Sequence, residues 1–323
     1  MIYINEQDLL EIGSDWQETI SVIKQSVSCI DCNDYAQPIK PYLRYRDMKN
    51  RIIAMPGFVG GDIDACGIKW IASFPDNIYN NIPRAHSVLI LNNTKTGEPV
   101  CIINTPLLSV IRTVSVSGLM ADYFLNSKKF ESFNVGIIGW GPIGQYHFKM
   151  FTSLFGAKIS EIFLFDKRPI IQKETISEQF RDKVTITDSW EEAYQNADVF
   201  ITCTTSKKAY IANKPKDGAL LLNVSLRDYK PDIYDFVGKS IIVDDWEEVC
   251  RENTDIENMY NQKGLKKEDT KSIADIVCRN CMEHYGKDET IMFNPMGMAV
   301  FDIAIGNYYM LKASEGCVGL SLM

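Results

Sequence analysis

Val135-Gly-Ile-Ile-Gly-Trp-Gly-Pro-Ile-Gly144 runs from a short apolar strand into a turn and then into a stretch with helical spacing. Gly139, Gly141 and Gly144 stand in GxGxxG order. In such a turn the first glycine permits the tight strand-to-helix reversal. The second lets the backbone approach a pyrophosphate, and the third lets the helix pack close against the strand. The pyrophosphate would then sit over the free amides and the positive end of the helix. Gly139, Gly141, Pro142, Ile143 and Gly144 are therefore the candidate phosphate loop. The next apolar run, Ile162-Phe-Leu-Phe165, reads as the second strand and ends at Asp166. A carboxylate there can accept both ribose hydroxyls of an adenosine and would repel a 2′-phosphate. The fingerprint predicts a dinucleotide cofactor, NAD in preference to NADP, although Lys167 and Arg168 directly after the acid keep NADP open.

Outward from this loop, strand and helix patterns alternate over 135–244. Strands are expected at 135–139, 161–165, 183–186, 199–203, 219–224 and 240–244, with helices over 142–155, 170–181 and 189–195. Six strands with short connections predict an α/β fold with a Rossmann-type, doubly wound parallel sheet. The N-terminal part has a different texture. A helical pattern over 9–32 precedes short β-rich runs at 51–55, 66–71, 87–91 and 100–104, the last two joined by the turn Asn93-Thr-Lys-Thr-Gly-Glu-Pro99. This reads as an α+β domain with an antiparallel or mixed sheet, in which the substrate-binding residues are to be sought. A long helix rich in small residues, 107–127, links the two. The expected division is 1–115, completed by 303–323, and 116–302 for the NAD-binding domain.

The chain has 323 residues, 46% hydrophobic and 24% charged, which suits two packed domains rather than disorder. A net charge of −8 argues against nucleic acid or an anionic membrane as partner. The N-terminus lacks the basic start and apolar core of a signal peptide, and no uninterrupted apolar run approaches the roughly 18 residues of a membrane span. A cytoplasmic protein is expected. The nine cysteines are then reduced thiols. Cys29/Cys32 and Cys278/Cys281, the latter pair followed by His284, have CxxC spacing, but a zinc site would need ligands converging from both ends of the chain, so no metal is expected.

In an acidic protein, basic residues inside apolar runs stand out. Lys40, Arg44, Lys69, Arg84 and Arg112 are such residues. Lys69 is flanked by Gly67, Ile68, Trp70 and Ile71, and it either snorkels from an edge strand or is held at a site. Arg112, in Ile111-Arg-Thr-Val-Ser115, can offer a paired fork to a carboxylate. The alternative for each is a surface salt bridge. Together they suggest a small anionic amino-acid substrate.

The phrases Gln37-Pro-Ile-Lys-Pro-Tyr-Leu-Arg44, Met55-Pro56, Gly67-Ile-Lys69, Arg112-Thr-Val-Ser115, the glycine loop and Met298-Ala-Val-Phe-Asp302 spread over nearly the whole chain. In these the chain resembles the ornithine cyclodeaminase/mu-crystallin family. Lys40-Pro-Tyr-Leu-Arg44, Arg51-Ile-Ile-Ala-Met-Pro56, Val243-Asp-Asp-Trp246 and Asn294-Pro-Met-Gly-Met-Ala299 are most similar to members that oxidise N-(2-amino-2-carboxyethyl)-L-glutamate in making L-2,3-diaminopropionate for siderophores and antibiotics. The resemblance implies that Arg44, Lys69 and Arg112 hold the substrate α-carboxylate, with Lys40 or Arg84 available to another. It implies that Asp228 is the catalytic acid-base, where the residues alone would read it as a helix cap or turn aspartate. Near cations that aspartate should stay ionised at neutral pH. Thr202, Cys203 and Thr204 should lie along the cofactor, and Asn223, Val224, Ser225 and Met298 near the nicotinamide. Family members also include ornithine cyclodeaminases, imine reductases and NAD(P)H-binding proteins without turnover, and they pair as homodimers through the N-terminal domain. His86 departs from the resemblance: it signals either a changed substrate or a side chain packed beside the pocket.

Overall fold

The structure, a computed structural model, describes residues 1–171 and 176–322. The chain forms two compact units, Met1–Ser115 with Gly297–Met323, and Val116–Met296. Residues 297–302, which the sequence reading assigns to the nucleotide-binding part, belong with the first unit. The reason is local: Ala299–Gly316 is one continuous helix, and Asp302 in its first turn is ion-paired within the first unit.

The first unit is built on an eight-stranded sheet. Its strands are β1 (Ile2–Ile4), β2 (Tyr35–Ala36), β3 (Tyr42–Leu43), β4 (Arg51–Val59), β5 (Ala65–Ser73), β6 (Ala85–Asn92), β7 (Pro99–Asn104) and the terminal strand Leu320–Ser321. β4 to β7 form an antiparallel meander, and β1 joins β7 in parallel. The 9–32 pattern is two helices, Glu6–Ile12 and Trp16–Asp31, because Gly13 stops the first in a positive-φ conformation and Asp15 caps the second. Alternation along the strands gives the sheet two unlike faces. Met55, Lys69 and Leu89 form one cross-strand row and are all buried, on the side where helix Ala299–Gly316 packs. The neighbouring row, Ala54, Trp70 and Val88, points the other way, and Trp70 is 44% exposed.

Helix Leu107–Lys128 carries the chain into the second unit. It is long and apolar enough to cross a membrane by length and composition, but 72% of its apolar window is buried in the protein, as in a core helix.

The second unit holds eight parallel strands: β8 (Phe133–Ile138), β9 (Ile159–Phe165), β10 (Val184–Ile186), β11 (Val199–Thr202), β12 (Leu220–Leu222), β13 (Ile241–Val243), β14 (Lys271–Ser272) and β15 (Ile291–Asn294). Their spatial order is β10-β9-β8-β11-β12-β15-β13-β14. The order reverses beside β8, at the switch point of a Rossmann-type sheet. The sixth position belongs to β15, while the sixth expected strand, β13, lies outside it. Ile291-Met-Phe-Asn294 is too short an apolar run, immediately before Pro295, for periodicity to distinguish strand from helix entry. The helix expected over 170–181 falls partly on 172–175, outside the described residues; Glu178–Lys183 is a single 3-10 segment.

Packing in this unit is dense around β11. Phe200 is fully buried, with its ring 4.8 Å from that of Tyr194 in an edge arrangement. Phe200→Ala should destabilise the protein by about 3–5 kcal/mol through lost burial and a residual cavity. Urea denaturation followed by circular dichroism should show a lowered midpoint, and an unchanged midpoint would contradict this packing.

Candidate active site

In the second unit the glycine turn is sterically closed on two sides and open on the third. Gly139 has φ +91°, and a Cβ there would lie 2.5 Å from the carbonyl oxygen of Cys203. A Cβ on Gly144 would lie 2.1 Å from the carbonyl oxygen of Gly139, so only glycine lets the helix start this close to the strand. A Cβ on Gly141 would meet nothing within 4 Å. Gly141 caps helix Pro142–Phe155, with Pro142 and Ile143 in its first turn. The open side of this cap suits a phosphate group approaching free helix amides.

Asp166 stands at the end of β9, where its Oδ2 accepts the Trp140 amide of the loop at 2.6 Å and its Oδ1 accepts the Arg168 amide at 2.8 Å. The carboxylate is thus fixed beside the glycine turn, with lone pairs left for ribose hydroxyls. The Arg168 side chain is largely exposed and only 3.4 Å from Asp166 at its Nε, a weak pair. These residues fit the pyrophosphate and adenosine ribose of a dinucleotide.

The carboxyl ends of β11 and β12 carry the other candidate residues of this unit. Thr202 and Asn223 are fully buried, and Val224 and Ser225 are half-buried. The turn after β12 is strained: Leu226 has φ +62°, and its amide donates to Asn223 Oδ1 at 3.1 Å. The turn delivers Asp228, fully buried, against Thr204 Oγ1, which donates to Oδ1 at 2.6 Å, and Ser225 Oγ, which contacts Oδ2. Burial pushes the Asp228 carboxyl above its ordinary range, against the lowering pull of the Ser225 and Thr204 hydroxyls, Lys167 and Tyr210. Its direct partners are neutral hydroxyls, with Lys167 the one cation among the groups that lower it, and desolvation is the larger influence. Cys203 donates its amide to the Ile138 carbonyl, and burial drives its thiol far above the usual range, with Asp228 adding to the rise.

The first unit gathers three of the expected cations. Lys69, 1% exposed in the middle of β5, lies 2.7 Å from Asp302 Oδ2. Arg112 Nε donates to Asp302 Oδ1 at 2.9 Å. Lys40 Nζ donates to the Gly297 carbonyl at 2.7 Å. Gly297, at φ +86°, lies against the Arg112 guanidinium, where a Cβ would come 2.5 Å from Nη1. Burial lowers the Lys69 pKa to about 7; Asp302 pulls it up, and Arg112 and Lys40 push it down. Burial raises Asp302, but Arg112 and Lys69 outweigh it and hold the carboxylate below its usual range. Lys69 and Arg112 thus share the Asp302 carboxylate, one on each oxygen, with Lys40 close enough to act on Lys69.

Sequence reasoning missed Asp302. Its signal was available: an aspartate inside Ala299-Val-Phe-Asp-Ile-Ala-Ile305 is as conspicuous as a lysine inside an apolar strand. Arg44 follows β3 and lies over the Tyr42 ring at 4.8 Å. Tyr42 pairs with Ile53 and thence with Ile71, on the sheet face that carries Lys69. Arg84 is half-buried just before β6. Met298 is buried immediately ahead of helix Ala299–Gly316. His86 pairs with Ala72, which puts it on the face of Trp70, opposite that of Lys69, so it is not packed beside this cluster. Among the described residues no group of three or more His, Cys, Asp or Glu side chains could hold a metal ion.

The model of the ornithine cyclodeaminase/mu-crystallin family matches residues 11–316. The chain is 31% identical to N-((2S)-2-amino-2-carboxyethyl)-L-glutamate dehydrogenase of Staphylococcus aureus, over 100% of this chain and 98% of that protein. Its fold is that of Thermococcus litoralis Δ1-pyrroline-2-carboxylate reductase, solved with NADH and L-proline (TM-score 0.86, 20% identity, 100% of both chains). It is also that of an archaeal alanine dehydrogenase dimer with bound NAD (TM-score 0.85, 21% identity, 100% of this chain and 99% of that one). The chain belongs to the ornithine cyclodeaminase/mu-crystallin family.

Proposed function

We propose that the protein is an NAD-dependent dehydrogenase that converts N-(2-amino-2-carboxyethyl)-L-glutamate to L-2,3-diaminopropionate and 2-oxoglutarate, a step supplying siderophore or antibiotic precursors. The observation that carries this reading is the buried pair Lys69 and Arg112 on the carboxylate of Asp302, with buried Lys40 on the neighbouring Gly297 carbonyl. A substrate with three carboxylates suits such a set of cations, and the full-length likeness to the staphylococcal enzyme supports the same choice. Arg112 and Lys69 take the carboxylate next to the reacting carbon, with Arg44, Lys40 and Arg84 serving the remaining negative charge. Holding that carbon in place supplies the proximity term of catalysis. NAD, when bound, accepts hydride from the glutamate α-carbon, leaving a C=N bond in the substrate. Asp228 takes the amine proton and passes it to solvent, then takes a proton from the water that attacks the C=N carbon and gives it to the nitrogen as the C–N bond breaks, with Ser225 and Thr204 orienting its two oxygens.

A second reading, imine reduction to an amino acid, is favoured by one feature: burial makes Asp228 easier to protonate, as an acid donating to an imine nitrogen must be. Purified protein mixed with NAD and N-(2-amino-2-carboxyethyl)-L-glutamate should form NADH and 2-oxoglutarate together. Proline from L-ornithine without net NADH would instead make it a cyclodeaminase, and NADH consumption with a cyclic imine alone would favour the reductase. Asp228→Asn should cut turnover by at least a hundredfold while leaving NAD affinity near normal; near-normal turnover would sink its assignment.

Substrate binding should also report on Lys69. A bound carboxylate favours the ammonium form, whereas the unliganded lysine loses its proton near pH 7. KM should therefore stay flat below about pH 7 and rise above it. Lys69→Met should raise KM at pH 6 by about 10–100-fold, the worth of one charge-assisted contact, and abolish that pH limb. A KM independent of pH in the native enzyme would contradict the role.

The same reading makes the protein a homodimer joined through the second face of the N-terminal sheet. Trp70, Ala54, Val88, Ile68 and Ile90 make that face apolar, and Trp70 stands exposed in it. Trp70→Asp should convert the dimer to monomer in light scattering, and an unchanged mass would place the interface elsewhere.

A further inference from the structure

Beneath Asp228, hydrogen-bond directions can be followed from one side chain to the next. Asn294 Nδ2 donates to the carbonyls of Met292 and Ile242 at 3.2 and 3.4 Å, so its Oδ1 accepts Asn223 Nδ2 at 2.8 Å. Asn223 Nδ2 also donates to Asp255 Oδ2 at 2.9 Å. This orientation makes Asn223 Oδ1 an acceptor, and it takes the Leu226 amide. Next in line come Thr202 Oγ1, 3.2 Å from Asn223 Oδ1, then Ser225 Oγ, 2.8 Å from Thr202 Oγ1, then Asp228 Oδ2 in contact with Ser225.

Three oxygen-to-oxygen gaps are thus shared by two hydroxyl protons. With Asp228 ionised, Ser225 must donate to the carboxylate and Thr202 to Ser225. The gap left without a proton is then the one at Asn223. It is the longest of the line, and the Asn223 oxygen keeps the Leu226 amide. With Asp228 protonated, its proton goes to Ser225, Ser225 turns to Thr202 and Thr202 to Asn223, and every gap is filled. No proton migrates along the line; each hydroxyl rotates about its own C–O bond. Thr204 does not take part in the reversal, because its oxygen accepts the Ser206 amide and its proton is given to Asp228 Oδ1.

We infer that Thr202 and Ser225 are positioning residues that form a reversible hydroxyl relay, turning to follow each gain and loss of the proton on Asp228. The inference rests on the acid-base reading of Asp228 and adds how the protein accommodates both of its states. Lys167, Cys203, Tyr210, Tyr229 and Asp255 also act on this carboxyl, and they remain constant when only the relay is altered.

The relay predicts opposite effects from its two members. Thr202→Val removes the acceptor that Ser225 needs when Asp228 is protonated, so the protonated state suffers more and the Asp228 titration should move down by about one pH unit. Ser225→Ala removes a donor to the ionised carboxylate and should move it up by a similar amount, as should Thr204→Val. Thr202→Ser keeps the hydroxyl and should titrate like the native protein. The titration is read from the protonated-carboxyl band in infrared difference spectra of the full chain, assigned by its loss in Asp228→Asn, so it does not depend on turnover. If Thr202→Val fails to fold, Thr202→Ala carries the same expectation. Shifts of the same sign in the Thr202 and Ser225 variants, or no shift on losing the Thr202 hydroxyl, would overturn the relay. Normal turnover by Asp228→Asn with the infrared shifts intact would instead overturn only the catalytic reading.

Discussion

A lysine in the centre of a sheet and an arginine on a core helix can be buried as cations only because Asp302 stands between them. Desolvation by itself would strip Lys69 of its proton at neutral pH, and an unpaired buried guanidinium would be costlier still. Each carboxylate oxygen serves one cation. That division fixes the register of helix Ala299–Gly316 on β5 and explains why the last 27 residues (297–323) group with the first 115. Lys40 adds a second tie by holding the Gly297 carbonyl at the entrance to the helix. A pair would have been neutral. Here the carboxylate is shared by two cations, so the arrangement that keeps Lys69 and Arg112 buried also keeps them cationic in part rather than neutralised one to one.

The second unit solves a different problem, that of bringing backbone close to backbone. Gly139 and Gly144 remove the only atoms that would separate β8, the segment after β11 and the first helical turn. The parallel strands behind them are apolar on both faces, as sheets covered on both sides require. The polar groups collect at the carboxyl ends. There the strained Leu226 and the side chain of Asn223 shape the turn that presents Asp228. Backbone strain of this sort persists when surrounding bonds over-determine it, and here Leu226 is held by its own amide and by its carbonyl, which accepts the Asp255 amide.

What the sequence made legible follows from the range of the interactions concerned. The glycine turn, the strand run before it and Asp166 act over a few neighbouring residues, and each is written in local spacing. Lys69 was conspicuous because a charge in an apolar strand contradicts its surroundings. Its partner Asp302 was hidden only by distance along the chain, since the pairing exists once helix and sheet meet. β15 was missed because three apolar residues and an asparagine before a proline fit either state, and only pairing with β12 and β13 decides. The environment of Asp228 was legible only in part: Lys167 does act on it, whereas Thr204, Ser225 and Tyr210 come together through the ends of separate strands and loops.

Burial pushes both Lys69 and Asp228 toward their neutral forms, one downward and the other upward. The protein answers the two in different currencies. Lys69 is given a full opposite charge, which offsets part of the desolvation and leaves its pKa at about 7. Asp228 is given hydroxyls, which stabilise a carboxylate when they donate but can turn and accept when it is protonated. A cation in their place would hold the ionised state too firmly to let the proton return. Neutral, rotatable partners stabilise the carboxylate without fixing it as firmly as a direct ion pair would, which suits the proton exchange proposed for this residue. The choice of partner, more than the depth of burial, separates the environment of Lys69 from that of Asp228.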